Sequence, residues 1–273
     1  MNPYITIMRP VNGSMAAVAV VLGALIAGVQ DGAIVIAAIS AFLISSAGMV
    51  ANDIFDYRID KVNKPKRPIP SGLISLRGAS LYSGALFGLG VGLTALLNIY
   101  VFGLALFNAL LEMFYANKLK RTPAVGNIAV SWLVGSTYVF GGLLSGSHDI
   151  LHLAGPLLLG NVAFVANMAR ELYKTASDYK GDKRYGAITV AVVFGKERAK
   201  LAGDIFAVLA AASSLAPYFA HILGNVYISI QLISIAVYLS ALFKSAEKAE
   251  KLTKIGMFIG LVAIAAELGS RLL

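Results

Sequence analysis

No cysteine occurs in this chain of 273 residues. Disulfides, thiolate nucleophiles and thiolate metal sites are thereby excluded. Charge is scarce too: Asp, Glu, Lys and Arg make up 14% of the residues and hydrophobic types 58%, whereas ordinary soluble domains carry about 25% charged residues. Together with a mean hydropathy of +0.76, this excludes a water-soluble domain and leaves a polytopic membrane protein. Phosphate-loop signatures are also missing, since neither GxxxxGKS/T nor a strand-linked GxGxxG is present. The 27 glycines, including the run GALFGLGVG at 84–92, are read as positions where helices approach closely.

Apolar stretches long enough to cross a bilayer are predicted at 14–30, 33–51, 79–96, 99–117, 125–145, 150–169, 201–220, 225–243 and 255–272. The expected fold is an all-α, polytopic bundle of nine transmembrane helices with short cytoplasmic cap segments, forming a single transmembrane domain over 1–273. The first stretch exceeds a signal-peptide core and is read as the first span. With a cytoplasmic N-terminus, the connections 52–78, 118–124, 170–200 and 244–254, together with Arg9, hold 22 of the 23 Lys and Arg. The opposite connections hold none, and only Arg271 falls outside the pattern. This asymmetry places the basic loops in the cytoplasm and the C-terminus outside. The net charge of +9 is therefore a feature of topology. No nucleic-acid partner is expected, because the basic residues lie in short loops between spans.

The two longest basic connections also carry acids. Asn52, Asp56 and Asp60 are spaced i, i+4, i+8, so a helix continued out of the membrane places them on one face, with Asp53 beside them; Asp178 and Asp182 repeat the i, i+4 step. Two like charges about 4 Å apart repel by roughly 4 kcal/mol at an effective dielectric near 20. Such clusters call for cations. Hard divalent ions fit oxygen ligands, and Mg²⁺ held by a few carboxylates shares its other positions with substrate phosphates. Each cluster is followed by bases, Lys61, Lys64, Lys66 and Arg67 in one case and Lys183 and Arg184 in the other. Acid and base in one polar pocket suit a metal–diphosphate complex.

Glu112 falls inside the fourth predicted span, one turn before Tyr115. A charged group at that depth costs roughly 2.5–3.5 kcal/mol on insertion scales, so it should face the bundle interior and find a partner. Two readings are open for it: a hydrogen bond to Asn108 at i−4, or a base or orienting group for a nucleophile. Asn161 and Asn167 in the sixth span are read as packing hydrogen bonds. His148 and His152, with Asp149, lie on the opposite face of the membrane and are read as interfacial.

NDIFDYRID at 52–60 resembles the NxxxDxxxD element of the UbiA superfamily of intramembrane prenyltransferases, and DYKGD at 178–182 resembles its second DxxxD element. NKPKRPIPSG at 63–72 and YANKLKRTPAVGN at 115–127 are similar to the family's basic turn and Tyr-Lys element. The resemblance implies Mg²⁺-dependent transfer of an isoprenyl group from a diphosphate donor, with Asn52 and Asp56 on one Mg²⁺, Asp53 and Asp60 in support, and Asp178 and Asp182 on the other. It further implies Arg67, Lys118, Lys120 and Arg9 as diphosphate contacts and Tyr115 near the reacting carbon; Lys64 and Lys183, among the bases that follow the two acid clusters, are expected to bind substrate as well. One departure stands out: many relatives carry a further acid where this chain has Thr175, so Glu171 or the two aspartates alone must serve. The chain looks most like the archaeal ether-lipid branch, whose partners in the bilayer would be geranylgeranyl diphosphate as donor and geranylgeranylglyceryl phosphate as acceptor. Prenylation of 4-hydroxybenzoate or a naphthoate is the alternative acceptor chemistry, and a membrane transporter is the alternative of another class. Transporters usually bind near the midplane on broken helices, whereas these acids lie at one interface.

Overall fold

In a computed structural model, residues 2–146, 150–184 and 186–271 are described. The interfacial reading of His148 and Asp149 falls outside them. Thirteen α-helices follow one another among the described residues: α1 (Pro3–Met8), α2 (Pro10–Ile26), α3 (Ala33–Phe55), α4 (Tyr57–Asn63), α5 (Leu76–Thr94), α6 (Ile99–Asn117), α7 (Val125–Gly142), α8 (Ile150–Arg184), α9 (Val190–Phe194), α10 (Lys196–Ser213), α11 (Ala216–Phe219), α12 (Asn225–Ala241) and α13 (Ala246–Ser270). Eight of the nine predicted apolar stretches overlap a single α-helix, whereas 201–220 is divided between α10 and α11. Among the described residues six helical segments are long and apolar enough to cross a membrane by length and composition, on α3, α6, α7, α8, α10 with α11, and α13, while α2 and α12 are shorter apolar helices.

Local chemistry sets the helix starts. Asn98 accepts from the amides of Tyr100 at 3.1 Å and Val101 at 3.0 Å, and Ser75 accepts from Gly78 N at 3.0 Å, each satisfying donors that the first turn leaves open. The main difference from expectation is α8. The apolar run ends at 169, but the helix continues to Arg184 and carries the second acid cluster on its own last turns rather than on a loop. Nothing after residue 169 breaks a helix before Gly181, so hydrogen bonding simply propagates through polar residues.

Association of the helices rests on small residues. A Cβ on Gly141 would stand 2.0 Å from the Val20 carbonyl oxygen and one on Gly23 2.1 Å from that of Tyr138, so α2 and α7 meet backbone to backbone. Gly135 and Gly160 make the same reciprocal contact between α7 and α8. One core gathers α1, α3, α5 and α6 around Ala47, Val50 and Phe87; another gathers α8, α10, α12 and α13 around Tyr173 and Ala207. Outward-facing side chains such as Leu81, Leu89, Phe107, Leu110 and Phe258 are exposed and apolar, as a lipid-facing surface requires.

Candidate active site

The two acid clusters meet in one cavity of about 760 Å³ lined by α2, α3, α4, α6, α7, α8, α10, α12 and α13. At the α3–α4 joint the helical register survives: Asp56 N donates to Asn52 O at 3.0 Å and Asp60 N to Asp56 O at 2.8 Å. That continuity keeps Asn52, Asp56 and Asp60 on the cavity side, and all three line it. Asp178 and Asp182 line the facing wall, where Asp182 accepts from Thr189 Oγ1 at 3.1 Å. Lys64 and Lys174 both lie within electrostatic reach of Asp178, which ties the α4 end of the first cluster to the second.

Every acid of the first cluster has a cationic partner. Lys120 Nζ is 2.5 Å from Asp56 Oδ1, and Arg67 spans Asp60 at 2.5 Å and Asp53 at 3.0 Å. Arg9 pairs with Asp53 as well. It is held in the left-handed region (φ 49°) at the joint of α1 and α2, so the helix break itself aims the guanidinium. Burial pushes the Lys120 ammonium below the ordinary lysine range, with Asp56 pulling the other way.

Eleven of the predicted residues line the cavity: Asn52, Asp56, Asp60, Asp178, Asp182, Arg9, Lys64, Arg67, Lys120, Glu112 and Tyr115. Three do not. Asp53 is buried behind the wall between two arginines. Lys118 stands over the Phe114 ring and Lys183 over the Tyr179 ring, each at 5.8 Å. Side chains that sequence reasoning passed over also reach the cavity: Asn12, Arg121, Arg170, Lys174 and Lys254. A signal for two of them was present, because Arg170 and Lys174 stand eight and four residues before Asp178, on the same helix face. Both are bound by Glu171, Arg170 at 2.7 Å and Lys174 at 3.5 Å, and Glu171 lines the cavity near the place of the missing acid at Thr175. Asn167 donates to Ser131 Oγ at 3.1 Å, a packing bond as expected.

Below the polar mouth the wall turns apolar, with Ala16, Val20, Ile44, Leu133 and Phe140 among its residues. A charged head at the mouth and a hydrocarbon tail beneath it is the arrangement such a cavity accepts. The donors at the mouth are carboxylate and amide oxygens, which suit a hard divalent cation. Among the described residues no three acids or histidines converge on one point. An ion there would complete its shell with water or with oxygens of a ligand, as Mg²⁺ commonly does.

Residues 15–262 match the model of the UbiA prenyltransferase family. Digeranylgeranylglyceryl phosphate synthase of Methanothermobacter thermautotrophicus is 37% identical over 99% of this chain and 97% of its own length. The enzyme of the same name from Methanopyrus kandleri is 36% identical over 98% and 100%. Among solved structures, one described for digeranylgeranylglyceryl phosphate synthase in membranes superposes with a TM-score of 0.79 at 31% identity, covering 97% of each chain. A UbiA homologue from Archaeoglobus fulgidus, bound to GPP and Mg²⁺, shares the fold at a TM-score of 0.68 and 20% identity, over 96% of this chain and 99% of its own. With the family model matched over most of its length and relatives more than 30% identical across nearly all of it, this chain belongs to the UbiA prenyltransferase family.

Proposed function

We propose that this protein transfers a geranylgeranyl group from geranylgeranyl diphosphate to the glycerol hydroxyl of geranylgeranylglyceryl phosphate, with Mg²⁺, in archaeal ether-lipid synthesis. The observation that carries the reading is the convergence of Asn52, Asp56, Asp60, Asp178 and Asp182 on the mouth of one cavity with an apolar floor, in a chain nearly collinear with synthases of that name. The single domain covers 1–273. Its nine long helices cross the bilayer, with the acid-bearing end, the short helical segments there and the N-terminus in the cytoplasm; the charge asymmetry supports this orientation.

Asn52 and Asp56 would hold one Mg²⁺ and Asp178 and Asp182 the other, with Asp60 in support. Asp53 supports by fixing Arg9 and Arg67. When bound, the metal neutralises charge that builds on the departing diphosphate. Lys120, Arg67 and Arg9 line the same mouth and exchange their carboxylate partners for diphosphate oxygens, and Lys64 beside them adds a further contact. Lys118 and Lys183 sit outside the wall and act through the field of the mouth. Tyr115 faces the allylic carbon, and the apolar wall beneath it takes the chain and keeps water from the reacting carbon. Arg121, Arg170, Lys174 and Lys254 exceed what one diphosphate needs, which favours an acceptor that itself carries a phosphate.

Purified protein given labelled geranylgeranyl diphosphate and Mg²⁺ should form the ether with geranylgeranylglyceryl phosphate. Removing the acceptor's phosphate should cost about tenfold or more in efficiency, the loss of at least one charge-assisted contact. Faster prenylation of 4-hydroxybenzoate or a naphthoate would refute the acceptor assignment, and donor binding without turnover on any acceptor would refute the enzyme.

A further inference from the structure

Glu112 Oε2 is buried and meets no hydrogen-bond partner. The sequence offered Asn108 as its partner, and the structure spends that amide elsewhere: Asn108 Nδ2 donates to Ser136 Oγ at 2.9 Å, and Asn108 Oδ1 accepts from Trp132 Nε1 at 3.1 Å. No cation forms an ion pair with Glu112 among the described residues, although Arg9, Arg67, Lys120 and Arg170 share its cavity and are each paired with another acid. The carboxyl group therefore does not stabilise the fold through a polar bond. It is the one carboxylate of the cavity wall inside α6, a turn deeper than Tyr115. Room for it is provided across the helix interface by Gly48 of α3, where any Cβ would stand 2.1 Å from Oε2. Asn52 Nδ2 donates to the carbonyl of that same glycine at 3.0 Å, which sets the depth of Glu112 at one α3 turn below Asn52 at the mouth.

We infer that Glu112 is the group that receives the acceptor alcohol: Oε2 accepts the hydrogen bond of the glycerol hydroxyl, holds its oxygen toward the allylic carbon, and takes its proton. The inference rests on the function proposed above. In the step, the bond between C1 of the donor and its diphosphate oxygen breaks and the electron pair leaves with the diphosphate. A lone pair of the glycerol oxygen forms the new C1–O bond, and the hydroxyl proton passes to Glu112. An unsatisfied acceptor in an apolar wall selects for a ligand O–H, since a hydroxyl there completes a bond that water is kept from making. An aromatic acceptor attacking through ring carbon would present no such hydroxyl to be ionised at the reacting atom, so the residue also favours alcohols.

Three variants of the full chain, Glu112→Gln, Gly48→Ala and Glu112→Ala, test this in detergent with labelled geranylgeranyl diphosphate, Mg²⁺ and geranylgeranylglyceryl phosphate. Glu112→Gln keeps the shape and removes the proton acceptor; Gly48→Ala leaves the glutamate in place but drives its carboxyl out of position. Ether formation should fall about a hundredfold in Glu112→Gln, the ordinary size of a lost general base, with donor affinity unchanged. Diphosphate release should fall much less, so that its ratio to ether formed rises well above the parent's and the prenyl group appears as free alcohol. Gly48→Ala should move the ratio in the same direction, and formate should restore ether formation to Glu112→Ala. Ether formation within about threefold of the parent in Glu112→Gln, or equal loss of ether, release and donor binding, would overturn the inference while leaving the proposed function intact. A parent that binds donor and forms no ether would overturn both.

Discussion

Asn in place of Asp56 is the sharpest probe of the acid mouth, because it removes one charge with almost no change of shape. The residue sits at the joint of α3 and α4, where continuity comes from backbone bonds of 3.0 and 2.8 Å, and its side chain caps neither helix. The fold should therefore persist. In the ligand-free protein the substitution weakens the 2.5 Å contact with Lys120. A bond to a charged group contributes about 1.5–3 kcal/mol, and the asparagine oxygen still accepts from the lysine, so a net cost of about 1 kcal/mol remains. That corresponds to a fall of a few degrees in Tm. Turnover should respond far more. Removing even a group that supports a metal ligand costs about 10–100-fold in metal affinity or activity. Loss of a ligand itself should reach at least the upper end, about 2.7 kcal/mol. Product formation from labelled geranylgeranyl diphosphate, followed across a Mg²⁺ titration, should show at least that hundredfold loss and a higher Mg²⁺ requirement. Turnover within about threefold of the parent, at an unchanged Mg²⁺ requirement, would refute the assignment of Asp56 to the metal.

Asp53→Asn should act on stability rather than on the metal: its side chain is 3% exposed between Arg9 and Arg67, which are 33% and 23% exposed. Breaking a buried pair costs about 3–5 kcal/mol and the partial exposure of both arginines puts this case near the lower figure, measurable as a lowered Tm with a raised donor KM. Gly141→Ala should destabilise by about 1–3 kcal/mol, because its Cβ must push α2 and α7 apart to clear the Val20 carbonyl; unchanged thermal stability would contradict the backbone contact. Cysteines placed singly at Ser71, Thr122 and Ser177 of this cysteine-free chain should react with a membrane-impermeant thiol reagent from the cytoplasmic side alone, and labelling of any of them from outside would refute the orientation.

Composition and spacing carried most of the architecture. Low charge and long apolar runs dictate helices in a bilayer, since only internally hydrogen-bonded segments are stable there. The i, i+4, i+8 spacing of Asn52, Asp56 and Asp60 set one face of a helix before any contact was known. The sequence could not tell which acids open to the cavity. Asp53 and Asp56 are three residues apart and chemically alike, yet Asp53 turns into the protein because Arg9 and Arg67 converge on it from α1–α2 and from the basic turn. Only the fold brings those distant residues together. The same holds for Lys118 and Lys120, two positions apart in one basic run: a helix end turns the first onto an aromatic ring and the second onto Asp56.

Glu112 shows the boundary most clearly. Its depth in an apolar span was legible from the sequence, because hydropathy is a local property and the cost of burying charge follows from it. Whether it had a partner was decided by tertiary structure. Asn108 stood at the right helical spacing, but Trp132 and Ser136 of α7 took both of its polar ends. Spacing fixes which side chains of one helix share a face; which of them are satisfied depends on what the neighbouring helices present, and that is set only when the bundle packs.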